Sequence, residues 1–400
     1  VTTRFPRPQL PALTGIRALA ALWVVTRHFR TELIDAFPPL RVLAPVFNAG
    51  YLGVDLFFIL SGFILTYTHF DRMTDRFSWR SAVGFLWLRI GRVWPLTAAV
   101  LVLFGAVFAL QYATSGNPAF AAQADVGRLM QHLLLVQAWT AHPLDWNGLD
   151  WSISAEWLAY LVFSVGIVAL AAYARVAARR MTVILIAALT LPMIVVGSTM
   201  QDDTILLFSP NSYTIAPGVV ALRVLTEFWI GALLAILLSA RLGEGRPLRF
   251  PLATVASIAA LVVVVLAPVL DAHPWIRHGQ PQFRDGVDMI ARTGTIVVLP
   301  LFVLVIAGLA VAPRDPLARV LATRPLQLGG RVSFALYLSH PLVIGAGVTL
   351  LARLGSPALR DLVTVGVLVA AWVFAWVLWR FIEEPCRKLA RRMLPRTIAV

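Results

Sequence analysis

Apolar residues in this chain gather in blocks of roughly twenty, about the length of helix that crosses a hydrocarbon core some 30 Å thick, and short polar or charged segments separate them. The blocks lie near residues 14–34, 50–70, 93–112, 150–172, 181–199, 217–239, 251–270, 289–312, 334–353 and 361–382. This pattern predicts an all-α fold, a polytopic transmembrane helical bundle of about ten spans. A sliding apolar block has no strand-like alternation to compete with it.

The polar segments are of two kinds. Arginines concentrate at Arg4 and Arg7, in 71–92, at Arg175, Arg179 and Arg180, in 240–250, in 313–331 and from Arg387 to Arg396. With an even number of spans these segments fall on one side and hold most of the 34 basic residues, so both termini are expected in the cytoplasm. Segments 113–149, 200–216 and 271–288 lie opposite and carry Asn, Gln, Asp, His, Pro and Trp, as in Ala141-His142-Pro143-Leu144-Asp145-Trp146. Such loops either anchor the protein at the membrane interface or bind a polar acceptor. No repeat or long linker interrupts the pattern, which predicts one membrane domain over 1–385 and a short basic cytoplasmic tail over 386–400 without a fold of its own. The first apolar stretch contains Arg17, Arg27, His28 and Arg30 and has no small-residue cleavage site, so it is read as a span kept in the mature protein.

Composition sharpens this picture. The 400 residues are 59% hydrophobic and only 14% charged, a balance that would leave a soluble domain with too much apolar surface in water. A multi-pass protein of the cell (plasma) membrane is the expectation. The net charge of +14 would point to nucleic acid in a soluble protein, but here the basic residues punctuate apolar blocks, so no nucleic-acid partner is expected. Cys386 is the sole cysteine, which excludes an internal disulfide and any multi-cysteine metal site.

Ionisable side chains inside spans are costly and default to function. Arg17 and His28 are eleven residues apart, close to three helical turns, so they share a face about 16 Å apart along the axis. Arg17 either snorkels to the interface or holds a ligand; His28 is either a satisfied buried histidine or a base of near-neutral pKa. Asp55, in Gly53-Val54-Asp55-Leu56-Phe57-Phe58, lies about one turn inside the second span, where it either caps the helix or orients the His28 imidazole. Ser61 and Gly62 are read as packing residues. Glu156, in Trp151-Ser152-Ile153-Ser154-Ala155-Glu156, enters the fourth span to a similar depth, with Ser152 or Ser154 as the helix cap. His28, Asp55 and Glu156 are thus the candidate catalytic groups. Arg89 and Arg92, three apart at the cytoplasmic start of the third span, suit a phosphate recognised by guanidinium forks, although arginines stand at most cytoplasmic helix ends.

In this order the clusters resemble the acyltransferase-3 family, bacterial multi-pass membrane enzymes that O-acylate hydroxyl acceptors. The resemblance is carried by Leu13 to Ala21 and on to His28, GVDLFFILSGFIL from Gly53, RIGRVWPL from Arg89, WSISAEW from Trp151, FALYLSHP from Phe334 and FIEEP from Phe381. It implies that His28 is the base or acyl relay, that Arg17, Arg89 and Arg92 hold an acyl-CoA donor, and that no metal takes part. The acceptor it implies is a cell-envelope glycan or glycolipid, or a sugar-bearing metabolite such as a macrolide. Membrane lipid is a further expected partner, and a homodimer is compatible with the sequence, which specifies no interface. Two features stand out against the family: some members carry a fused C-terminal hydrolase-like domain, which is not expected here because the sequence stops just after the last span, and Arg27 precedes His28 where relatives are commonly apolar. His340 is read as structural or as lining the donor channel, and Glu383 and Glu384 before Pro385 as a helix stop. A proton-coupled transporter or flippase, with His28, Asp55 and Glu156 as a relay, is the alternative; it would move its substrate unchanged, whereas the enzyme releases free CoA.

Overall fold

The computed structural model describes residues 9–75, 77–140, 146–199, 217–245, 247–271 and 287–394, and every regular element among them is helical. The long helices are α1 (Pro11–His28), α2 (Leu52–Thr74), α3 (Trp79–Ser115), α5 (Trp151–Val176), α6 (Arg179–Thr199), α7 (Pro217–Gly243), α8 (Leu252–Asp271), α9 (Val287–Val311), α10 (Arg324–Leu351) and α11 (Pro357–Leu378); the shorter α4 (Val126–Leu133) and α12 (Glu384–Met393) complete the set used below. Each of the ten long helices overlaps one of the ten expected apolar blocks. By length and composition, α2, α3, α5, α7, α10 and α11 are long and apolar enough to cross a membrane. Residues 141–145, 200–216 and 272–286, within the segments expected opposite the cytoplasm, and the arginines at 4, 7 and 396 lie outside the described residues.

The chain forms two compact units, one of residues 1–77, 166–202 and 222–333, the other of 78–165, 203–221 and 334–400. In the first, helices meet through glycines. Gly62 of α2 lies flush against the Phe228 carbonyl of α7, and Gly231 of α7 against the Ile59 carbonyl of α2, so a side chain at either position would push the two backbones apart. The expectation that Gly62 serves packing is met. Gly330 and Gly15 make the same kind of approach to Thr14 and Leu321, fixing α1 against its neighbours. Asp315 ties α8 in place by accepting from the Ala253 amide at 2.9 Å and the Thr254 hydroxyl at 2.5 Å.

In the second unit α3 starts far earlier than its apolar block. Ser78 and Ser81 form a reciprocal capping box, and the helix runs through residues 79–92, which carry Arg80, Arg89 and Arg92 among apolar side chains, into the expected block. It ends where Gly116 takes φ +66° and its amide bonds the Tyr112 carbonyl at 2.8 Å. Arg89 and Arg92, expected at a helix start, therefore stand about three and three and a half turns inside one. The C-terminal segment corrects another expectation. Trp379–Glu383 forms a single π-helical turn that leads directly into α12, with Pro385 in the first turn of that helix. The expected tail from 386 is thus helical up to Met393.

Candidate active site

α1 ends at His28, short of the expected boundary, because Phe29 leaves helical geometry and its amide closes the last turn on Val25. His28 is consequently an exposed terminal residue of the helix. Its Nδ1 lies 2.8 Å from the Val24 carbonyl oxygen. A carbonyl only accepts, so Nδ1 carries the hydrogen and the lone pair of the neutral ring resides on Nε2. The ring is held in the tautomer a general base requires. Arg27 beside it donates to the Asn48 carbonyl and stacks 5.3 Å from the Tyr51 ring centroid, which accounts for a charged residue at this position by packing. Arg17, half-buried, places its guanidinium over the Phe57 ring at 6.0 Å.

Asp55 is fully buried, and the structure gives it a partner other than the imidazole. Arg223 of α7 donates through Nε at 2.7 Å and approaches through Nη2 at 2.5 Å, both to Asp55 Oδ1. Glu227, one turn further along α7 and also fully buried, lies 3.6 Å from the same Nε and faces Asp55. The reason lies in how α1 and α2 meet. A Cβ on Gly53 would stand 2.7 Å from the Ala20 carbonyl, so Asp55, two residues on, is level with the middle of α1 rather than with its end at His28. The carboxylate anchors α2 to α7. Arg223 and Glu227 were missed in the sequence although both stand in the 217–239 block, the signal already used for the other candidates.

Glu156 belongs to the second unit. Phe85 of α3 packs against Tyr160 and Phe163 of α5, with ring centroids 6.2 and 5.5 Å apart. The two helices run in opposite directions, so one turn forward on α3 meets one turn back on α5, and Arg89 arrives beside Glu156. Tyr160 hydrogen-bonds Glu156, and Arg89 and Arg92 both stand within electrostatic reach of that pair. Residues expected at opposite depths, Arg89 and Glu156, thus share one level. The Arg89 guanidinium also lies over the Phe85 ring at 5.7 Å.

The entry to α5 is held by a buried polar node that sequence reading did not find. The Asp150 carbonyl accepts from Ile153 and Ser154 to start the helix, while its carboxylate bonds His132 Nδ1 of α4 at 2.8 Å. Ser154 does not cap the helix but donates to the Leu135 carbonyl at 2.8 Å, and Ser152 pairs with the Tyr337 hydroxyl at 2.7 Å. Leu135 adopts φ +59°, a left-handed conformation that a non-glycine residue keeps only where surrounding bonds enforce it. The node fixes where α5, and with it Glu156, begins. His340 is fully buried with Nδ1 on the Leu336 carbonyl at 3.0 Å. Among the described residues no group of three His, Cys, Asp or Glu side chains is placed to hold a metal ion.

A family model for an acyltransferase domain matches residues 10–380, nearly the whole chain. The protein belongs to the acyltransferase-3 family. Acyltransferase MdmB of Streptomyces mycarofaciens is 27% identical over 413 residues, covering 97% of this chain and 94% of that protein. A putative O-acetyltransferase of Staphylococcus aureus is 22% identical over 95% of this chain, which spans 57% of its length. Peptidoglycan O-acetyltransferase OatA of Listeria monocytogenes is 34% identical over a 65-residue stretch, 16% of this chain and 8% of that enzyme. No solved structure matches the chain. The helices and the family together make this acyltransferase-3 protein a membrane protein whose reaction needs an acyl donor.

Proposed function

We propose that the protein is an O-acyltransferase of the plasma membrane, with ten spans and both termini cytoplasmic, that moves an acyl group from cytoplasmic acyl-CoA to a hydroxyl of a cell-envelope glycan or glycolipid, or of a sugar-bearing metabolite such as a macrolide. The observation that carries the reading is His28, exposed at the end of α1 with Nδ1 committed to a backbone carbonyl, inside a family match that covers residues 10–380. The names of the relatives, which include O-acetyltransferases, support hydroxyl acceptors.

In this proposal His28 Nε2 takes the proton of the acceptor hydroxyl as its oxygen attacks the thioester carbonyl. The C–S bond breaks, the ester forms, and the departing CoA thiolate recovers the proton from the imidazolium. Arg89 and Arg92 take phosphate groups of the donor, which fork-shaped guanidinium groups recognise well, and Arg17 is assigned to the donor too. Glu156 with Tyr160 orients Arg89 electrostatically. Asp55, expected at the imidazole, acts as a positioning residue through Arg223.

The test is thiol release by the purified protein from acetyl-CoA and longer acyl-CoAs, with and without a crude envelope extract, for wild type and His28→Ala. Release that needs both the extract and His28 supports the enzyme and its donor. Absence of thiol and of labelled acyl-CoA binding overturns the donor assignment and favours the transporter.

A further inference from the structure

The C-terminal helix is not a loose basic extension. Ala390 of α12 presses its methyl group onto Gly91 of α3, where any side chain would collide, and the Ala390 carbonyl accepts from Trp87 Nε1 at 3.0 Å. These two contacts bracket Arg89 in sequence. The residue that follows the seated alanine is Arg391, and it stands within electrostatic reach of Arg89. The other basic residues of α12 are engaged differently: Arg387 and Lys388 bond Glu384 along the helix at 2.5 and 3.3 Å. Arg392, about 200° around the helix from Ala390, points away from the α3 contact.

Gathering like charges against one another is costly unless an anion is meant to join them. The groups that bear on Arg89 are two further guanidiniums, Arg92 and Arg391, against one carboxylate, Glu156, and the Tyr160 hydroxyl. Arg89 Nε is buried and has no hydrogen-bond partner among the described residues, so a donor remains to be used. Three guanidiniums drawn from two helices, locked in register by a glycine–alanine contact, suit a ligand that carries several phosphates.

We propose that α12 completes the donor site, with Arg391 joining Arg89 and Arg92 to hold the phosphorylated nucleotide head of acyl-CoA. This rests on the donor reading above and assigns a binding role to the C-terminal helix. Loss of one charge-assisted contact to phosphate weakens binding by about tenfold or more.

The experiment is equilibrium binding of labelled CoA and of 3′,5′-ADP to the full-length protein in detergent, with turnover of S-acetylpantetheine, a thioester without phosphate, measured in parallel. Arg391→Gln is expected to weaken CoA and 3′,5′-ADP about tenfold, to leave S-acetylpantetheine turnover unchanged, and to be partly rescued in Arg391→Lys. Arg392→Gln is expected to bind as wild type. Equal binding by Arg391→Gln and wild type overturns this proposal alone, and so does a parallel loss of S-acetylpantetheine turnover, which marks a structural effect. Failure of wild type to bind CoA at all overturns the donor reading and this proposal with it.

Discussion

At the scale of single residues, His28 is defined by its backbone bond as much as by its ring. The Val24 carbonyl fixes the tautomer, so His28→Gln, which keeps size and polarity but offers no base, is expected to lose acyl transfer by roughly 10²–10⁴-fold while binding donor normally; single-turnover assays with a binding control measure both. Asp55 makes the opposite prediction. Arg223→Gln leaves two buried carboxyls, Asp55 and Glu227, without their guanidinium, and is expected to cost about 3–5 kcal/mol in thermal unfolding. Adding Asp55→Asn to that variant is expected to recover part of the loss, a coupling that a double-mutant cycle reads directly. The sequence shows that Asp55 sits in a span but not what it touches, because its partner is 168 positions away and comes to it only through helix packing. Arg223 and Glu227 themselves were legible, four apart within an apolar block.

At the scale of elements, glycines decide how closely helices approach. Gly62→Ala and Gly231→Ala each place a methyl group against the opposing backbone of α7 or α2 and are expected to lower stability by about 1–3 kcal/mol. Gly366 of α11 meets nothing within 4 Å, so Gly366→Ala is expected to be neutral or to gain up to about 1 kcal/mol from helix propensity. Detergent melting curves of the three variants test the contrast. Helix positions were legible from the apolar blocks, since a bilayer enforces them, but helix ends were not. Hydropathy marks where a helix meets lipid, whereas α3 begins at a serine capping box fourteen residues earlier and α12 continues past a proline that read as a stop. The level shared by Arg89 and Glu156 was hidden for the same reason: it follows from the true start of α3 and the packing of Phe85 on Tyr160.

At the scale of the molecule, the apolar helices are expected to hold the protein in the membrane fraction through an alkaline carbonate wash, checked by immunoblot of pellet and supernatant; recovery in the supernatant would contradict membrane insertion of the helices long and apolar enough to cross. The family model, running from residue 10 to residue 380, stops just short of α12, the helix seated on Gly91. That helix also carries the only thiol of the chain, Cys386, half-buried with its carbonyl 4.0 Å from the Gly91 Cβ position. A nitroxide attached there needs no prior removal of other cysteines, and its spectrum reports the motion of this one helix. A broad, immobilised line throughout turnover means that α12 is a fixed wall; a line that sharpens once product leaves means that the same helix swings away to let spent coenzyme out.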